Sequence, residues 1–121
     1  MKGSVVAILA TTMVLFMLVN LKPADAATFT VGDAGGWTFG VNSWPAGKSF
    51  SAGDVLVFNY PQGLHNVAVV DAAGYNACDT AGATILTSGH DQVTLAKGAN
   101  YFICGVGAHC RANMKMTVNA S

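Results

Sequence analysis

Residues 99–118 read Ala99-Asn-Tyr-Phe-Ile-Cys-Gly-Val-Gly-Ala-His-Cys-Arg-Ala-Asn-Met-Lys-Met-Thr-Val118. The two ends are apolar, β-branched and aromatic, as strands are. Between them Cys104, His109 and Met114 recur every five residues. On a helix, steps of five rotate by about 500°, so successive side chains would splay about 140° apart. On a strand, odd steps alternate faces. Neither element can turn all three side chains to one point, but a loop can, and Gly105 and Gly107 stand where a tight loop needs them. The stretch therefore predicts a strand closing at Cys104, a loop, and a second strand opening at Met114.

Working outward, the rest of the chain repeats this style. Thr28–Val31 alternates and stops at Gly32. Asp54–Tyr60 is β-branched and aromatic and stops at Pro61. Asn66–Val70 is a further apolar run, and Gln92–Leu95 alternates before Lys97-Gly98. Short strands at this spacing, with turn residues between them, predict an all-β sandwich or barrel. No long helical periodicity interrupts them. One or two short helical turns are expected, one of them within Tyr75–Ala83 around Cys78.

Upstream of the loop, His65 sits at the mouth of the Asn66–Val70 run. With it the chain offers two imidazoles, one thiolate and one thioether. Soft sulfur suits Cu(I), imidazole suits Cu(II), and a weak axial Met serves both, so His65, Cys104, His109 and Met114 form the ligand set of a blue-copper site. Taken alone, Met114 reads as a core residue that opens a strand. Zinc is the competing metal, but it favours a further thiolate or a carboxylate over a thioether. A copper-ligating cysteine must be a free thiolate. Cys110 adjoins His109, and neighbouring side chains point apart, which favours Cys104 as ligand and Cys78–Cys110 as a disulfide. Asn66, beside the first ligand, is either a tie across to the ligand loop or an ordinary strand-initial Asn. His90 falls in Ser88-Gly-His-Asp91, read as an exposed turn and not a ligand. Trp37 and Trp44 read as core or flank-packing aromatics.

Met1-Lys2, the apolar run Val5–Val19 and the small residues Ala24 and Ala26 form a secretory signal pattern. Cleavage after Ala26 would divide the chain into a signal peptide, 1–26, and a mature domain, 27–121. The alternative is a membrane anchor, but the run is shorter than the roughly 20 residues a span needs. Secretion permits a disulfide. The end of the chain lacks the spacer and apolar tail of a lipid anchor, and Asn119-Ala-Ser121 is a formal sequon at the very terminus. Residues 27–121 hold four Lys or Arg and five Asp, with no charge run. Nothing in that balance suggests nucleic acid or an anionic membrane. There is no Glu, and no acid pair spaced as in a hydrolase.

Several motifs together make the resemblance to a family specific: Val31-Gly-Asp-Ala-Gly-Gly-Trp-Thr-Phe39, Ser43-Trp-Pro45, Ala52–Tyr60, His65-Asn-Val67, Thr87-Ser-Gly89, Tyr101–Cys104, His109-Cys110 and Met114-Lys115. Over nearly all of 27–121 the chain resembles the phytocyanins, plant blue-copper proteins, and among them the plantacyanin (basic blue protein) subclass. The resemblance implies a cupredoxin-like Greek-key fold, one type 1 copper on His65, Cys104, His109 and Met114, and a Cys78–Cys110 bridge. Stellacyanins, which are similar, carry Gln where this chain has Met114. The chain departs from the pattern in two places. The family often has Pro-Gly before the second histidine, where this loop reads Gly105-Val-Gly-Ala108, and the subclass is often basic, which residues 27–121 are not.

The expected function is a secreted, extracellular one-electron carrier of the apoplast or cell wall. It would be a monomer without enzymatic activity, working with a small-molecule or protein redox partner and with neither nucleic acid nor membrane. The alternative expectation is an extracellular signalling or cell-wall interaction protein in plant reproduction, with copper redox secondary. A substrate-oxidising enzyme is disfavoured, because four protein ligands leave no clear open position on the metal.

Overall fold

A computed structural model describes residues 26–121. Apart from Ala26, the expected signal segment 1–26 lies outside the described residues. Seven strands follow in order: β1 (Thr28–Thr30), β2 (Val55–Asn59), β3 (Val67–Val70), β4 (Thr84–Leu86), β5 (His90–Thr94), β6 (Gly98–Ile103) and β7 (Lys115–Ala120). One short helix, α1 (Ala72–Ala77), lies between β3 and β4, and single 3-10 turns occupy Asp33–Gly35, Val41–Ser43 and Cys110–Ala112. The strands form two sheets, ordered β1-β2-β5 and β4-β3-β6-β7. Among the pairings between these seven strands, β1–β2 is parallel and the others are antiparallel. The expectation of an all-β sandwich or barrel holds, with the strands in two sheets.

Side-chain alternation explains how the sheets close on each other. Along β7, Met116, Val118 and Ala120 are buried, while Lys115, Thr117 and Asn119 are more open to solvent. This is the period of two that a half-buried strand imposes. The inward residues meet Leu56 and Phe58 of β2, Phe102 of β6, Trp37 and Phe50 in one core. Phe58 packs against Trp37 and Phe102, with ring centroids 5.1 Å apart in each pair. A smaller cluster of Ala68, Ile103 and Cys110 lies on the other side of the four-stranded sheet, under Tyr75 and Cys78.

The helix sits earlier than the sequence suggested. Asp71 caps its N-terminus, accepting from the Gly74 N–H at 2.8 Å, and that cap starts the turn at Ala72. Cys78 then takes a left-handed conformation (φ 52°) and ends it. His90 opens β5 rather than lying in a turn, pairing with Asn59 across the sheet, and its side chain is exposed. Trp37 is fully buried, as expected of a core aromatic, and Trp44 packs at the flank against Phe50.

Register positions the functional end. In β3–β6, Ala68 faces Ile103, and in β6–β7, Ile103 faces Lys115. Both pairings are antiparallel, so the start of β3, the end of β6 and the start of β7 meet at one edge. His65 lies just before β3, Cys104 directly follows β6, and Met114 directly precedes β7.

Candidate metal centre

At that edge three of the four expected ligands come together. One donor atom from each of His65, Cys104 and His109 lies within 4.8 Å of the other two. Cys104 Sγ is 3.9 Å from His65 Nδ1 and 3.5 Å from His109 Nδ1, and the two Nδ1 atoms are 3.1 Å apart. Both rings therefore present Nδ1 to the thiol. Met114 is fully buried beside them. Its carbonyl accepts from the Cys104 N–H, and its own N–H donates to His109 O, each at 3.0 Å.

Local sequence explains the convergence. The loop after Cys104 folds back through the His109 N–H, which donates to Val106 O at 3.1 Å. Gly107 adopts φ 48° in this turn, a left-handed value that suits glycine. A side chain at Gly105 would meet Thr80 Cγ2 at 2.9 Å and Asn66 Oδ1 at 3.2 Å. That space is taken by a hydrogen bond, in which the Gly105 N–H donates to Asn66 Oδ1 at 2.6 Å. Asn66 thus joins the His65 segment to the ligand loop. The Cys78–Cys110 disulfide is formed, and Cys104 is a free, buried thiol.

The electrostatics suit a metal. Burial, and then the electrostatic influence of the neighbouring His109, hold the His65 imidazole below its ordinary pKa. Both effects favour the neutral ring, the form that ligates. The donor set is one buried sulfur and two imidazole nitrogens, a soft and borderline combination that fits copper. Phe39 is a contact that sequence reading missed. Its ring lies edge-on to both His65 and His109. The Trp-Thr-Phe run carries no spacing signal that would place it there.

Two antiparallel-rich sheets with a His-Cys-His cluster at one edge define a cupredoxin-like protein. Residues 37–114 match the family described as the plastocyanin-like domain. The chain is 54% identical over 95 residues to a basic blue protein of Cucumis sativus, covering 78% of this chain and 99% of that one. It is 48% identical to a chemocyanin of Lilium longiflorum, covering 90% of this chain and 87% of that one. The solved structure of cucumber basic protein, a blue copper protein, superposes with a TM-score of 0.77 at 53% identity, covering 78% of this chain and all of that one. The chain belongs to the plastocyanin-like domain family, in its phytocyanin branch.

Proposed function

We propose that this protein is a type 1 copper protein that carries single electrons. The observation that carries the reading is the cluster of Cys104 Sγ and two imidazole Nδ1 atoms at one edge of the sheet. Copper supplies a one-electron couple at such a site. Cys104, His65 and His109 would hold it through a thiolate sulfur and two imidazole nitrogens, and Met114 would supply a weak thioether donor. The burial of Cys104 and the disulfide-anchored loop would keep these donors in place as a bound copper changed oxidation state. His109 is the less buried of the two imidazoles, and it would be the ligand nearer to an approaching redox partner. Relatives of this chain are named for copper, and its proposed activity is electron carriage without substrate turnover.

The signal pattern at 1–26 supports secretion, with 27–121 as the mature domain acting outside the cell as a monomer. Among the described residues no helix is long and apolar enough to cross a membrane. The redox partner is a small molecule or a protein.

The test is spectroscopic. Residues 27–121 loaded with Cu(II) should show an intense visible band and a narrow copper hyperfine splitting, and Cys104→Ser should lose the band. A colourless wild-type protein, or a Cys104→Ser variant that stays blue, would sink the assignment.

A further inference from the structure

Phe39 is a large apolar side chain that stays 47% exposed. It meets His65 at 5.6 Å and 82° between ring planes, and His109 at 4.9 Å and 71°. The two imidazoles are themselves 5.0 Å apart, so three rings form a triangle. Edge-to-face contact is a preferred arrangement of aromatic rings, and a ring held against both imidazoles restrains the rotation of each.

The backbone around Phe39 is tied on both sides. Two residues earlier, buried Trp37 donates from Nε1 to Asn66 O and from its backbone N–H to Asn59 O, each at 2.8 Å. One residue later, the Gly40 N–H donates to Asn113 O at 3.2 Å. Asn66 follows His65 and Asn113 precedes Met114. The segment Trp37–Gly40 therefore bridges the two stretches of chain that carry the expected ligands, with Phe39 between its anchors.

We propose that Phe39 is a positioning residue of the metal centre, a ring set against both imidazoles that holds them in ligating orientation and slows the loss of copper. The proposal rests on the copper reading above. Phe39 donates no electrons to the metal. It acts by restricting His65 and His109, as groups behind a ligand shell commonly do. Its exposure separates this role from core packing, because removing a half-exposed ring costs the fold little.

The experiment compares the copper-loaded wild-type protein with Phe39→Ala, Phe39→Leu and Phe39→Tyr. It measures copper loss to excess EDTA, the electron paramagnetic resonance spectrum, and the denaturation midpoint of the copper-free forms. Phe39→Ala and Phe39→Leu are expected to lose copper about 10-fold faster or more, with altered hyperfine splitting and near-wild-type midpoints. Phe39→Tyr, which keeps the ring, should release copper at the wild-type rate. Should Phe39→Ala fail to fold, Phe39→Leu decides. Wild-type release with an unchanged spectrum in Phe39→Leu would overturn the proposal, as would a loss in Phe39→Tyr equal to that in Phe39→Leu. A blue wild-type protein with indifferent variants would fail this proposal alone, whereas a wild type that never turns blue would fail the copper reading itself.

Discussion

Tyr60, one residue past β2, is buried with its hydroxyl donating to Asp91, itself a buried carboxylate that also accepts from the Ser88 hydroxyl and N–H. Burial first, and then the bond to Asp91, push the Tyr60 phenol up to about 12. The fold thus favours the protonated phenol. Its contribution is complete below the unfolded value of about 10 and is lost as pH rises through about 12, a change of roughly 2–3 kcal/mol. The stability of the copper-free protein should fall across that window, and Tyr60→Phe should flatten the fall. Denaturant midpoints taken from about pH 8 to about pH 12 measure this, and equal slopes in the two proteins would refute it. At this scale the sequence was readable where chemistry belongs to a residue type. A thiol and two imidazoles suit a metal where the chain folds them together, as it does with Cys104, His65 and His109. Tyr60–Asp91 and Phe39 were not readable, because neither contact follows from local spacing. The first joins residues 31 apart in the chain, and the second depends on how Trp37 and Gly40 are anchored.

Among the elements, the strands with strong apolar runs were legible and β4 was not. Thr84–Leu86 is three residues long, and its central Ile85 is 47% exposed. It is a strand only because β3 offers it an edge to pair with. Helix α1 was expected around Cys78 but starts at Ala72, because the Asp71 cap outweighs the local composition. Its C-terminus matters more, since Cys78 bonds to Cys110 in the 3-10 turn beside His109. The bridge ties the ligand loop to the outer face of the four-stranded sheet, over Ala68 and Ile103. With a sequence separation of 32, it should stabilise the fold by about 3–4 kcal/mol through the unfolded chain. The double variant Cys78→Ser, Cys110→Ser should lose roughly that much in denaturant unfolding. A double variant as stable as the wild type would mean that the loop is held by its hydrogen bonds alone.

Over the whole molecule, charge separates this chain from a basic protein of the same subclass. Residues 27–121 carry four Lys or Arg against five Asp, a net charge of −1 with neutral histidines. Within the ligand loop, 105–113, Arg111 is the single formal charge, and it is exposed two residues from His109. Phe39, Leu64, Gly107 and Ala108 are exposed in the segments around the metal edge, and the next charge along the chain, Lys115 at the start of β7, lies over the Tyr75 ring. A field focused by many like charges changes association rates by about 10-fold to 1,000-fold, and so few charges cannot produce that. Electron exchange with a small anionic reagent should therefore slow with added salt, and exchange with a small cationic one should quicken. Each change should stay below about tenfold between low ionic strength and about 0.5 M, where screening acts within a few ångströms. Stopped-flow rates across that range read both slopes. A steep fall with the anionic reagent would reveal a concentrated positive surface that this sequence does not contain. Slopes reversed in sign would place the transfer edge near the aspartates, away from His109 and Arg111.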